Sequence, residues 1–339
     1  MKWHRITQLF ATLAVSLGLV SVCLWVSGYS PPEVLRVLVE STWQSTGGTL
    51  LVFNKATLLI LAGLAVVIPY RAGLFNIGGE GQMITGGFTA AVIGTLPLQS
   101  LGPFHAMLAL GLGTLCGALW GLIAALLKTW RGIHEVISTI MLNFIALNFV
   151  NQLTFGTFNA GAGSSRTNFI HSSAKLPLLA QAGSTELSLG ILLAVLLAVI
   201  FSLYLSRTWD GFRIRAVGIN PTASTYSGIS AQRAYWLSML LGGGCAGLAG
   251  AVQTLGMEYT FYARFVGGSG FDGIAVAFLA LAEPWATVPA SLFLATLRGS
   301  DRVLQLDLAL PREFVFILEG ILIICIAVFM RKRPEEKNI

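Results

Sequence analysis

The chain has 339 residues, of which 55% are hydrophobic and only 11% charged, with a net charge of +6 and a mean hydropathy of +0.76. A soluble domain carries about 25% charged residues, so this composition weighs against a soluble protein and leaves a polytopic membrane protein. The positive balance does not imply nucleic acid, because the basic residues cluster at the ends of apolar runs, where orientation signals belong.

Met1–Arg5 carries Lys2, His4 and Arg5, and Leu9–Val26 follows as a first apolar run without a small-x-small cleavage site, which favours a retained span over a signal peptide. Ser27–Lys55 reads as a polar connection with a Pro31-Pro32 turn and a short amphipathic helix at Glu33–Trp43. Next comes Tyr70–Gly87, a polar knot holding Arg71, Asn76, Glu80 and Gln82 among six glycines. Apolar runs flank it at Ala56–Pro69 and Met83–Pro97, each shorter than the roughly 20 residues a crossing helix needs. Such a knot is tolerated within a membrane only where it lines a cavity or a protein interior. It is read here as the turn between two half-spans.

A turn at Gln99–Pro103 leads to a span at Phe104–Leu127, which ends at Lys128 and Arg131. Ile133–Leu153 is another span, rich in amides at Asn143, Asn148, Asn151 and Gln152. The last three share one helical face toward the outer end, within reach of interfacial water. Asn143 lies deeper, as interhelical glue or as a donor to substrate. His134 and Glu135 open the span, where a glutamate suits the helix dipole. The Gly/Ser/Asn-rich loop Thr154–Glu186 separates this span from Leu187–Leu205, and a basic segment, Ser206–Arg233, follows.

Within that segment Asn220 is placed to N-cap a short helix with Pro221 at its first position and Gly228 past its end. It fits either a helix that docks into a cytoplasmic partner or a plain connector on the membrane surface. Ala234–Leu255 spans again, and a loop containing Gly267–Gly273 follows. Ile274–Leu297 is broken by Glu283-Pro284 into two half-helices, because proline removes a donor and restricts the residue before it. The last run is Phe314–Met330, with Glu319 inside it.

The fold expected is an all-α polytopic membrane protein of about ten crossings, or eight if both broken regions are re-entrant. It forms one transmembrane domain, 1–339, with a cytoplasmic segment at 206–233. The paired breaks, near Asn76–Gln82 and near Glu283, point to inverted repeats around a central pathway. With ten crossings, thirteen of the 21 Lys and Arg fall on the terminal side, including Arg71, Lys128, Arg131, Arg207, Arg213, Arg215 and Arg233. Eight, among them Lys55, Arg166 and Lys175, fall on the other side, so both termini are cytoplasmic.

Cys23, Cys116, Cys245 and Cys325 lie in apolar runs without metal-like spacing, as packing residues. Glycines at 113, 117 and 121, the pair Gly243/Gly247 and the pair Ala246/Gly250 recur every four residues, a signal of close helix packing. No catalytic constellation is present: GxxxxGK[ST], HExxH and GxSxG are all absent. The chain is therefore not read as an enzyme, and no cofactor or metal is called for. Uphill transport would draw on an ion gradient or on another subunit.

Four blocks resemble a known family: RAGLFNIGGEGQ (Arg71–Gln82), GIHEVISTIMLN (Gly132–Asn143), RAVGINPTASTYSGI (Arg215–Ile229) and GFDGIAVAFLA (Gly270–Ala280). In this order they are similar to the signature blocks of ABC-importer permeases of the nucleoside and simple-sugar branch, related to ribose and branched-chain amino acid permeases. The resemblance implies a cell-membrane subunit that pairs with a second, often non-identical permease. It also implies a cytoplasmic ABC ATPase and an extracytoplasmic solute-binding protein. It assigns Arg215, Gly218, Asn220, Pro221, Ala223, Tyr226 and Gly228 to ATPase coupling. Under it, Asn76, Glu80, Gln82, Asn143 and Glu283 are expected along the pathway of a nucleoside or sugar. The chain departs from the family pattern at the late break, Leu281–Trp285, which is bulkier and acidic, and at His134, where Asn is usual. An ion-coupled secondary transporter with inverted repeats is the other class left open.

Overall fold

The computed structural model describes residues 15, 18–161, 164–263 and 265–311, together with 314, 316, 317, 320, 321 and 324. Glu319, Cys325 and both termini lie outside the described residues, as do much of the run Leu9–Val26 and most of Phe314–Met330. The chain divides into two compact units, one built from Met1–Val52 and Phe293–Ile339, the other from Phe53–Leu292.

In the first unit, helical residues 18–26 precede helix α1 (Pro31–Thr42), which starts at a proline after an extended Ser30. The amphipathic helix expected at Glu33–Trp43 is this one. Leu24, Val34, Leu304 and Leu310 form its small core.

The second unit starts within α2 (Thr46–Arg71) and holds α3 (Gly79–Gly94), α4 (Pro103–Arg131), α5 (Glu135–Phe155), α6 (Gly190–Arg207), α7 (Trp209–Ile219), α8 (Pro221–Tyr226), α9 (Ala231–Gln253), α10 (Ser269–Leu279) and the start of α11 (Thr287–Leu308). A π-helical turn, Thr254–Glu258, prolongs α9. Among the described residues, five helices are long and apolar enough to cross a membrane: α2, α4, α5, α6 and α9 with its π turn. A sixth is added if α10 and α11, bent by 117° at Glu283-Pro284, count as one broken span. The break expected at that proline is therefore present.

Three expectations are corrected. Ala56–Pro69 is not a half-span, because α2 extends back to Thr46 and runs for 26 residues, about 39 Å. Its first turns fall within Ser27–Lys55, expected as a polar connection, and there the Asn54 amide donates to the Glu186 carbonyl at 2.7 Å. The GGSGFDG stretch is not all loop, since its last five residues form the first turns of α10. The polar loop Thr154–Glu186 contains most of a hairpin, β1 (Leu178–Ala182) with β2 (Thr185–Ser188), turned at Gly183-Ser184.

The core is the packing of α3, α4 and α9. A methyl group on Gly117 would collide with the backbone of Gly247, and one on Gly250 with the carbonyl of Met83. A methyl on Gly113 would sit 2.7 Å from the Gly86 carbonyl. The three backbones thus touch along the glycine stripes read from the sequence. Outward faces of α4, α5 and α6 carry exposed Leu115, Leu119, Met141, Phe144, Leu192 and Leu196, a surface suited to lipid.

Gly117→Ala overpacks this contact by roughly 1–3 kcal/mol. Its apparent melting temperature in detergent should fall, whereas Gly111→Ala on the same helix, with nothing within 4 Å, leaves it unchanged.

Candidate functional site

The polar knot begins where α2 meets a proline. Pro69 sits inside the last turns of α2 and has no N–H to give to the carbonyl of Ala65. The Asn76 amide donates to that carbonyl instead, at 3.0 Å. To do so the chain turns back beside its own helix, so that residues 72–78 run antiparallel to the end of α2 without helical structure. Asn76 is fully buried. Its oxygen accepts from Gly78 N at 3.0 Å, and its amide group exchanges hydrogen bonds with the Gln82 amide at 3.1 Å.

Helix α3 starts at Gly79 with no cap from its own N-cap residue, Gly78. The missing acceptor comes from α5: Asn143 Oδ1 accepts from Gly81 N at 2.8 Å, and Asn143 Nδ2 donates to the Ile77 carbonyl at 2.9 Å. One buried amide thereby caps a helix from which it is 62 positions distant in sequence. Asn143 is interhelical glue in this conformation.

Glu80 reaches the other way. Its two carboxylate oxygens accept from Gly268 N and Gly270 N, each at 2.9 Å. These amides belong to the N-terminus of α10, so the glutamate sits between the positive ends of two half-helices. Gly79 and Gly270 meet backbone to backbone there, and a methyl on Gly270 would collide with Glu80 N.

Two half-helix starts meet at this junction, that of α3 after the return 72–78 and that of α10 at Ser269. Helix α3 packs on α9 through Gly86 and Gly250, and α10 packs on α2 through Gly273 against Ala62. At about 24 Å and 16 Å, neither α3 nor α10 crosses a bilayer by itself. The knot thus bonds the start of α10, at Gly268 and Gly270. The Glu283-Pro284 break expected as its counterpart lies at the far end of α10.

Asn76, Glu80, Gln82 and Asn143 are brought together, and Glu283 is not. Its half-exposed carboxylate pairs with Arg71, whose Nε also donates to the Ala282 carbonyl at 2.7 Å. Buried Gln253 donates to the Phe265 carbonyl at 3.0 Å, beside an aromatic cluster of Phe88, Phe158, Phe261 and Phe265. Neither Gln253 nor the Arg71 contacts were marked by a motif that composition alone would reveal. Glu135 is buried and paired with Lys128 at 2.5 Å, while His134 Nδ1 caps α5 by accepting from Val136 N. Asn148 and Gln152 are exposed near the end of α5 and Asn151 half-buried.

In the segment 206–233, Asn220 Oδ1 caps α8 by accepting from Ala223 N at 3.0 Å, Pro221 is its first residue, and Gly228 takes a φ of +78° after its end. Ala223 and Tyr226 are exposed, Tyr226 by 90%, as is neighbouring Ile219 by 86%. Arg215 is half-buried on α7. Gly218, also on α7, lies against the backbone of Arg71 and Ala72.

Residues 48–327 match the model of the family described as branched-chain amino acid transport system / permease component. The chain is 37% identical over 334 residues to the guanosine ABC transporter permease protein NupP of Bacillus subtilis (strain 168), covering 95% of this chain and 94% of that one. It is 32% identical to the nucleoside ABC transporter permease protein NupB of Lactococcus lactis subsp. cremoris (strain MG1363), over 89% of this chain and 85% of that one. It is 31% identical to the glucose ABC transporter permease protein TsgB13 of Haloferax volcanii, over 92% and 84%. No solved structure matches the chain.

Glu80→Ala removes the acceptor of two amides in the first turn of α10, at a cost of about 1–3 kcal/mol for each. Hydrogen exchange at Gly268 and Gly270 should accelerate while that of α9 does not. Glu80→Gln, which keeps one oxygen, should give a smaller effect; unchanged exchange in the alanine variant would remove the clamp from consideration.

Proposed function

The chain belongs to the family of branched-chain amino acid transport system permease components, and on that premise we propose that it is the membrane-spanning subunit of an ATP-driven importer of nucleosides or related ribosyl and simple-sugar compounds. The observation that carries this reading is the end-to-end match to a guanosine permease at 37% identity. The glucose permease among the relatives keeps simple sugars within the substrate class.

ATP hydrolysis is assigned to a separate cytoplasmic ABC ATPase, since the chain has no phosphate-cradling loop. A second permease subunit, of different sequence, completes the channel, and an extracytoplasmic binding protein delivers the solute. The chain is one multi-pass permease domain of the cell membrane, with its termini and the segment 206–233 on the cytoplasmic side. Helix α8 is the coupling element: its exposed Tyr226, Ala223 and Pro221 enter the ATPase, and Asn220 and Gly228 fix its ends. Arg215 and Gly218 seat the preceding helix on the permease.

The pathway runs beside the junction of α3 and α10. Asn76, Glu80, Gln82 and Asn143 frame it by holding the two half-helix ends, and Glu283 stands toward its cytoplasmic mouth. Alternating access moves those ends when the ATPase dimer closes. Their hydrogen bonds, made within the chain in this conformation, then become available to hydroxyls or base edges.

Reconstituted with its ATPase, second permease and binding protein, the chain should support uptake of tritiated guanosine that requires ATP hydrolysis and survives ionophores that collapse ion gradients. Uptake that persists with a hydrolysis-deficient ATPase and stops with the ionophore would overturn the reading in favour of ion coupling. Glu80→Ala and Asn143→Ala, each of which removes two hydrogen bonds, should each reduce uptake by about tenfold or more. Intact uptake in both variants would withdraw the pathway assignment.

A further inference from the structure

The C-terminus of α2 is held from two sides, and neither contact is needed to explain why the helix ends. On one side lies α7. Gly218 approaches so closely that a methyl group there would collide with the carbonyl of Arg71, and a methyl group on Gly73, itself at φ +80°, would meet the Gly218 backbone at 3.4 Å. Ala72 is fully buried in a cluster with Ile214 and Val217 of α7 and Leu205 of α6. On the other side lies the end of α10. The Arg71 guanidinium donates through Nε to the Ala282 carbonyl at 2.7 Å and pairs with the Glu283 carboxylate. The Phe75 ring packs on Phe278 at 6.1 Å between centroids.

We propose that Arg71 is a positioning residue that ties the coupling segment to the broken helix α10, so that a displacement of α7–α8 moves the α10–α11 turn. The inference rests on the importer reading given above, which supplies the displacement. Its physical basis is that the segment Arg71–Phe75 is sandwiched, and that at Gly218 of α7 its backbone meets backbone with no side chain between. A backbone-to-backbone contact of that kind is close-packed and transmits a shift rather than absorbing it.

The α10 face of the sandwich is directional. The turn it grips contains Leu281 and Ala282, both with side chains and both at positive φ, +51° and +55°. Residues of that kind hold such a conformation only where surrounding contacts fix it. Here those contacts are the bond from Ala282 N to the Ala277 carbonyl at 2.9 Å and the Arg71 grip on the Ala282 carbonyl. The pairing with Glu283 is half-exposed and contributes little alone. The planar guanidinium, bonding carbonyl and carboxylate at once, sets the geometry. Lysine cannot reproduce it.

The test uses the full complex in nanodiscs, with spin labels on one chain at Thr222 and Trp285 in a background without the native cysteines. In the wild type the 222–285 distance should stay constant between the nucleotide-free and vanadate-trapped states, because the two segments move together. In Arg71→Ala the distance should change between those states. Guanosine transported per ATP should fall by about tenfold, within the range of couplings carried by packed networks, while basal ATPase stays near the wild-type rate. Arg71→Lys should fold and hydrolyse ATP normally but transport poorly, which separates positioning from stability. An Arg71→Ala or Arg71→Lys complex that transports as much solute per ATP as the wild type would overturn the inference. A wild-type complex whose ATPase drives uptake of neither guanosine nor glucose would instead overturn the importer reading, and the inference with it.

Discussion

A proline in the last turns of a buried helix leaves one carbonyl without a donor, and the junction at the heart of this protein follows from how that carbonyl is satisfied. Helix α2 is buried along Ala56–Pro69, where water cannot reach the Ala65 oxygen. A bare carbonyl in such a place costs about 1–3 kcal/mol. The Asn76 amide supplies the bond, and this requires the chain to fold back along its own helix before α3 can begin. The break in the membrane-crossing pattern thus combines hydrogen-bond accounting at Ala65 with the positive φ that Gly73 takes in the return.

Once the chain has turned back, α3 starts inside the protein with its first amides exposed to a low-dielectric interior. The same need arises at α10. Each start is capped by a side chain from a different element, Asn143 of α5 for α3 and Glu80 of α3 for α10. Borrowed caps of this kind make the two half-helices interdependent, since neither end is complete unless the other elements are in place. They also confine the arrangement to a few discrete geometries, which suits a transporter that alternates between states.

The sequence was informative wherever a local rule sufficed. Asn220, Pro221 and Gly228 announced α8 to the residue because caps are local chemistry, and the four-residue glycine spacing announced the close contact of α4 and α9. The spans at α4, α5, α6 and α9 followed from apolar length. Where local rules misled, a distant partner was responsible. Residues 46–55 read as part of a polar connection, yet they are helical, and Asn54 there bonds the carbonyl of distant Glu186. The glycine-rich 267–273 stretch looked like a turn because its helical half is capped by Glu80, nearly 190 positions earlier, rather than by a neighbour.

Composition by itself determined that this is a helical membrane protein, because apolar length is written along the chain, and the order of four motif blocks carried the resemblance to permeases. They also singled out Asn76, Glu80, Gln82 and Asn143. Only the tertiary structure decided what these residues touch, that Glu283 stands apart with Arg71, and that the early knot bonds the start of α10 at Gly268 and Gly270. The reason is physical: a half-helix end inside a protein takes its hydrogen-bond partners from whatever backbone is close in space, and sequence spacing carries no record of that closeness.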